Sequence, residues 1–342
     1  MKQMSSLQQE EWIAWIARNL LRGVSKSEIG TVMTEKGFSS TQAEDLVHRV
    51  TNDPIFRGVE PLGRRVGNLE ALLDVRRALS RQDPTNSSFE RRRNLSREEF
   101  HLEYYCRNRP VIITDLVERW PAFGLWTPDY FRKQYGDVIV EIQSNRKTHP
   151  VYEVFLKGHT KRVRFAEYVD LLEKGGETNQ YYLTANDRLL DNEQIRPLLK
   201  DFWPFPEYFC EGDREQKQFL WLGPKGAVSP LHRDRLNVFM TQVYGRKRVK
   251  MISSDALHLV YNFESFFSEV DAEEPDLQNH PRFAEAEIID VVLEPGEALL
   301  IPVGWWHHVR SLDISINVSL TNFLFGNDFE NLYPKSNQGR VG

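Results

Sequence analysis

The chain has 342 residues, an ordinary globular composition with 27% charged and 12% aromatic residues, and a formal charge of −5. That length allows about two domains with a core large enough to fold without disulfides, and the slightly acidic balance disfavours a general nucleic-acid binder. Two cysteines, Cys106 and Cys210, give no bridge framework, and neither a signal-peptide pattern nor a run of ~18 apolar residues occurs, so the expectation is a cytoplasmic protein with no membrane association.

In chain order, the first part predicts short helices separated by glycines: "LQQEEWIAWIARNLLRG", "SKSEIGTVMTEKGF" with capping-box spacing from Ser25 to Glu28, and "STQAEDLVHRV". Trp12, Ile13, Ile16, Leu20 and Leu21 recur at helical intervals and read as a packed face. A further helix, "LEALLDVRRALS", precedes "RQDPTNSSFERRRN", whose Pro, Asn, Ser and charge content marks a linker. The chain therefore divides into a helical segment with its linker, residues 1–88, and a second domain, 89–342. "SEIGTVMTEKGFSSTQAEDLV" loosely resembles a ubiquitin-associated-type three-helix module, the alternative being generic helical packing. No chemistry-bearing cluster lies there, so the expected role is substrate recruitment or a homodimer contact.

Beyond residue 89 the character changes. "VIVEIQ", "NVFMTQVYGRKRVKMIS", "AEIIDVVLEPGEALLIPVG" and "ISINVSLTNFLF" are β-branched or aromatic runs broken by glycine turns, which suggests a β-barrel or sandwich. "TPDYFRKQYG" and "FAEYVDLLEKG" read as helices packed outside it. "RRR" at 91–93 and "GRKRVK" at 245–250 are basic clusters that read first as solvated faces.

In "WLGPKGAVSPLHRD", His232 and Asp234 stand at i and i+2, so on a strand they share a face. Such a pair holds a metal or forms a surface hydrogen-bonded couple. Far downstream, "LEPGEALLIPVGWWHHV" carries His307 and His308 at the end of a strand and turn, and a barrel would return them to the same pocket. Two histidines and a carboxylate make a facial triad, which leaves three positions of an octahedral iron(II) open, two for a 2-oxo acid and one for dioxygen. Zinc prefers a nearly closed tetrahedral set.

Together "WLGPKGAVSPLHRD", "QVYGRKRV" and "LEPGEALLIPVGWWHHV" resemble the JmjC or cupin-like 2-oxoglutarate oxygenases, in particular compact protein hydroxylases akin to the asparaginyl hydroxylase that acts on hypoxia-inducible factor. The resemblance runs from Ser96 to Phe323. It implies a mainly β fold, a double-stranded β-helix (jelly-roll) barrel with flanking helices behind the N-terminal all-α segment. It further implies His232, Asp234 and His307 as iron ligands, the first histidine after the tryptophan pair being the one used, with Trp305 and Trp306 packing around it. Lys247 matches the family's cation for the distal carboxylate of 2-oxoglutarate, and Ser229 and Tyr182 match its hydroxyl donors. For Lys247 the alternative is one more exposed cation beside Arg246, Arg248 and Lys250; for Tyr182 a one-residue slip would substitute Tyr181.

Two departures stand out. Where relatives often place an asparagine six residues after the first ligand, Val238 stands, with Asn237 one earlier. In "SINVSLTN", Ser315, Asn317, Ser319 and Thr321 share a face that lines the pocket or meets water, with Ser319 where relatives often have asparagine. The expected activity is iron(II)- and 2-oxoglutarate-dependent hydroxylation of a C–H bond in a peptide or protein side chain, consuming O2 and releasing succinate and CO2. The alternatives are a small molecule or modified nucleoside as substrate, N-methyl demethylation, or a non-catalytic binding module.

Overall fold

The computed structural model describes residues 6–82, 89–146, 152, 159–212, 216–264 and 266–333. The chain forms two compact units, Met1–Gln82 and Asp83–Gly342.

The first unit consists of α1 (Ser6–Leu21), α2 (Lys26–Glu35), α3 (Ser40–Asn52) and α4 (Pro54–Ser80). Ser25 and Ser39 close capping boxes with Glu28 and Gln42, and Asp53 caps α4 with Pro54 in its first turn, so the free N–H groups of three helix starts find acceptors. Ile16, Ile29, Met33, Leu46, Val50 and Phe56 close the core between them. Helix α4 is far longer than its local pattern suggests, running through Gly58, Pro61, Gly63 and Gly67 before the expected start at Leu69. The cap starts it early, and Gly63 lets α1 approach: a Cβ there would lie 3.0 Å from the Leu21 backbone oxygen.

The second unit carries fourteen strands: β1 (Arg91–Arg92), β2 (Val111–Ile113), β3 (Ile139–Gln143), β4 (Thr160–Arg164), β5 (Gln218–Gly223), β6 (Val228–Arg233), β7 (Val238–Tyr244), β8 (Lys247–Ile252), β9 (Asn262–Glu264), β10 (Phe267–Ser268), β11 (Ile289–Leu293), β12 (Ala298–Ile301), β13 (Trp306–Ser311) and β14 (Ser315–Leu320). Two six-stranded sheets, ordered β1-β2-β12-β7-β14-β5 and β11-β8-β13-β6-β10-β9, form the jelly-roll barrel, and β3 pairs with β4 apart from them. All these pairings are antiparallel except β1 with β2. The β7–β8 turn depends on Gly245, at φ +66°, where a Cβ would sit 2.1 Å from the Ile314 carbonyl oxygen.

The expected linker is partly barrel. Residues 83–88 lie outside the described residues, but Phe89 is buried against Trp305 and Arg91 pairs with Glu297 at 2.9 Å. Arg92 is likewise ion-paired, with Glu99, so two of the three arginines at 91–93 meet carboxylates. Helices Pro128–Tyr135 and Phe165–Lys174 cover the outside of the first sheet, where Phe131, Phe165 and Tyr168 share a core with Leu220, Val243 and Ile316. Ile316, Val318 and Leu320 belong to that core, and alternation along β14 turns Asn317 and Ser319 into the space between the sheets.

Candidate metal centre

Antiparallel pairing of β6 with β13 sets His232 directly opposite His307, their rings 4.1 Å apart, and Asp234 follows immediately after β6 ends. The ligand atoms of the three residues lie within 4.8 Å of one another, and His307 Nε2 is 3.5 Å from Asp234 Oδ2. Backbone carbonyls orient both imidazoles: His232 Nδ1 donates to Pro230 O at 2.7 Å and His307 Nδ1 to Trp305 O at 3.1 Å. A proton held on Nδ1 leaves the Nε2 lone pair aimed at the centre. Burial pushes the His307 pKa down to about 4, helped by His232 and opposed by Asp234, so the ring is neutral near pH 7 and able to ligate. Gly304, at φ +81°, donates its N–H to Asp234 O and ties the turn before His307 to the carboxylate's backbone. Two imidazole nitrogens and one carboxylate oxygen on one side, with a cavity on the other, fit an iron(II) site with open positions.

That cavity has a volume of 810 Å³ and runs between the two sheets. At its inner end Lys247, 2% exposed, donates from Nζ to Tyr182 Oη at 2.8 Å and Asn317 Oδ1 at 2.5 Å. Both partners are neutral, and burial alone lowers the lysine's pKa to about 7. The other cations of its cluster are differently placed: Arg246 pairs with Asp313, Arg248 with Asp290, and Lys250 donates to the Ala272 carbonyl. A buried cation that meets no carboxylate among the described residues fits the far carboxylate of a dicarboxylic co-substrate. Ser229, Ser319 and Thr321 also line the cavity, as does Val238.

The structure thus brings together His232, Asp234, His307, Lys247, Ser229, Tyr182 and Ser319. His308 faces the other way from β13 into a separate cavity that Glu273 and Arg310 also line, and burial holds its pKa down to about 4. Asn237 lies outside the cavity lining: its Oδ1 accepts from Val303 N at 2.9 Å and its Nδ2 donates to Asn327 at 3.0 Å, pinning the barrel rim. Trp305 orients His307 through its carbonyl, while its indole N–H donates to Asn108; Trp306 is fully buried in an outer cluster.

The sequence placed Asn317 on the polar face of β14 with Ser319 without giving it a role of its own, and it gave no sign of Arg146. Arg146 comes from the polar loop "QSNRK". It is 1% exposed, donates to Val228 O at 2.7 Å and lies over the rings of Tyr152 and Tyr182, which fixes the tyrosine that meets Lys247.

Residues 96–331 match the family described as "Cupin-like domain". Lysine-specific demethylase 8 of Xenopus tropicalis is 33% identical over 232 residues, 66% of this chain and 50% of that protein. Lysine-specific demethylase JMJ30 of Arabidopsis thaliana is 31% identical over 310 residues, 88% of this chain and 67% of that protein. tRNA wybutosine-synthesizing protein 5 of Gallus gallus is 28% identical over 248 residues, 66% of this chain and 74% of that protein. Against the Xenopus relative the matched region spans half of the longer protein.

Proposed function

The chain belongs to the cupin-like JmjC family of iron(II)- and 2-oxoglutarate-dependent oxygenases, and from that premise we propose that it hydroxylates a C–H bond in a peptide or protein side chain. Iron(II) with 2-oxoglutarate supplies the dioxygen chemistry: one oxygen atom enters the substrate C–H bond as hydroxyl, the other enters succinate, and CO2 leaves. The protein's part is placement. His232, Asp234 and His307 would hold the metal, and the backbone carbonyls of Pro230 and Trp305 fix both rings with Nε2 toward the cavity. Lys247 binds the distal carboxylate, Tyr182 and Asn317 hold its ammonium in place, and Ser229 and Ser319 add hydroxyls along the same wall.

The observation that carries this reading is the pair of complementary ends in one cavity, two imidazoles and a carboxylate at one and, at the other, a buried lysine that meets no carboxylate among the described residues. At 810 Å³ the cavity exceeds what a small dicarboxylate fills, which leaves room for an inserted side chain. Its mouth carries Lys217 and Arg235 alongside Asp328 and Glu330, a mixed rim suited to a polar peptide.

A second reading, N-methyl demethylation, draws support from the names of two relatives. The same site serves both, because hydroxylation of an N-methyl carbon gives a carbinolamine that releases formaldehyde. The test is to trap co-purifying proteins, incubate them with iron(II), 2-oxoglutarate and O2, and follow mass and formaldehyde together. A stable gain of one oxygen supports side-chain hydroxylation. Loss of a methylene with formaldehyde release replaces it by demethylation, and transfer of oxygen only to tRNA nucleosides overturns the protein-substrate reading.

A further inference from the structure

Of the twenty large apolar side chains that are exposed among the described residues, eight lie on the single helix α4. They are not scattered. Five of them, Ile55, Val59, Leu62, Val66 and Leu69, follow the alternating four- and three-residue steps of a heptad that half-buried Leu73 continues, with Val59, Val66 and Leu73 at a and Ile55, Leu62 and Leu69 at d; Val75 falls at c, off the seam. Leu62, Val66 and Leu69 are 60%, 53% and 55% exposed. Leu72 and Leu79, both exposed, fall at g and widen the stripe. The helix-weakening residues Gly58, Pro61, Gly63 and Gly67 all fall outside a and d.

We propose that α4 is the seam of a parallel two-stranded coiled coil through which two copies of this chain pair. Three features select a second copy in this orientation. A seam of 3.5-residue period matches a helix of the same period, and a second α4 supplies it with the same length and phase. In the two central heptads Val59 and Val66 stand at a with Leu62 and Leu69 at d, the combination that favours two parallel strands. Finally, Arg65 falls at g and Glu70 at e, five residues on, so an in-register parallel pair places each Arg65 beside the partner's Glu70, twice by symmetry. The antiparallel register that keeps all six apolar layers would instead oppose Arg65 to the partner's Arg65.

Sedimentation velocity on the full chain in the low micromolar range tests this. The expected result is a species of twice the chain mass that becomes monomeric in the double variant Leu62→Glu/Leu69→Glu, with the far-ultraviolet circular dichroism of a folded protein and uncoupled 2-oxoglutarate consumption both retained. Arg65→Glu and Glu70→Arg should each weaken the dimer about tenfold, and combining them should restore it. A monomer throughout, or a dimer that survives Leu62→Glu/Leu69→Glu, overturns the proposal. Failure of the combined charge reversal to restore pairing overturns the parallel register.

Discussion

Lys247 is 2% exposed in the barrel unit, whereas Leu62 is 60% exposed on the helical one, and each departs from the burial expected of its type. In the barrel the telling exceptions are polar groups held inside, and three of them, Lys247, His307 and Asn317, meet in one cavity. In the helical unit they are apolar groups held outside, aligned along one helix. The missing partner lies in a different place in each case. A buried polar group without a counter-charge calls for a ligand within the fold, and an exposed apolar stripe calls for a surface beyond it.

The contrast is broken most severely at the metal. Asp234→Ala or His307→Ala should reduce iron-dependent succinate formation at least a hundredfold, because a triad cut to two ligands holds iron poorly. Full activity of either variant at saturating iron would falsify the ligand assignment. Next comes Lys247→Ala, which removes a charge-assisted hydrogen bond of about 1.5–3 kcal/mol and should weaken 2-oxoglutarate binding roughly ten- to a hundredfold while metal binding persists. Calorimetry showing unchanged affinity would return Lys247 to a structural role.

A smaller effect concerns pH. With its folded pKa lowered to about 7, Lys247 is increasingly neutral above pH 7 in the free protein, although a bound carboxylate needs the ammonium form. Among the described residues, the Tyr182 hydroxyl and the Asn317 amide oxygen touch it, and the charged group nearest in that network is Arg146, which lies over the Tyr182 ring. Co-substrate binding should therefore take up a proton and weaken as pH rises from 7 to 9, measured as a buffer-dependent binding enthalpy. The same shift makes the ligand-free fold gain stability as pH rises from about 7 toward the unfolded lysine value near 10.4, since the unfolded chain binds the extra proton in that window. No proton uptake and a flat affinity profile would place the charged form in the free protein. The smallest effect belongs to the other unit: Ser25→Ala opens the capping box of α2 and should cost that unit about 1 kcal/mol in chemical denaturation, with 2-oxoglutarate turnover unmoved.

Much of the site was legible because strand alternation is a local rule. His232 and Asp234 share a face by spacing alone, and the same rule sends His308 away from His307. Which side of β14 meets the cavity depends on the helices that cover the first sheet, a tertiary fact, so the face shared by Asn317 and Ser319 stayed open between cavity and water. Arg146 comes from a loop without periodicity, and only the fold brings it onto Tyr182. In the helical unit, Pro61 and three glycines lowered the local helix propensity and hid most of α4, although the heptad stripe that continues through them was present in the residues themselves.

Iron held by His232 of β6, Asp234 just after it and His307 of β13 should show itself in anaerobic equilibrium dialysis of iron(II) against the wild type, His307→Ala and His308→Ala. The two histidines are adjacent in sequence and both buried, so general damage to the barrel should affect them alike. The predicted result is one iron per chain for the wild type and for His308→Ala, and near-complete loss for His307→Ala. Retention by His307→Ala with loss in His308→Ala, or equal binding by all three proteins, would contradict the account.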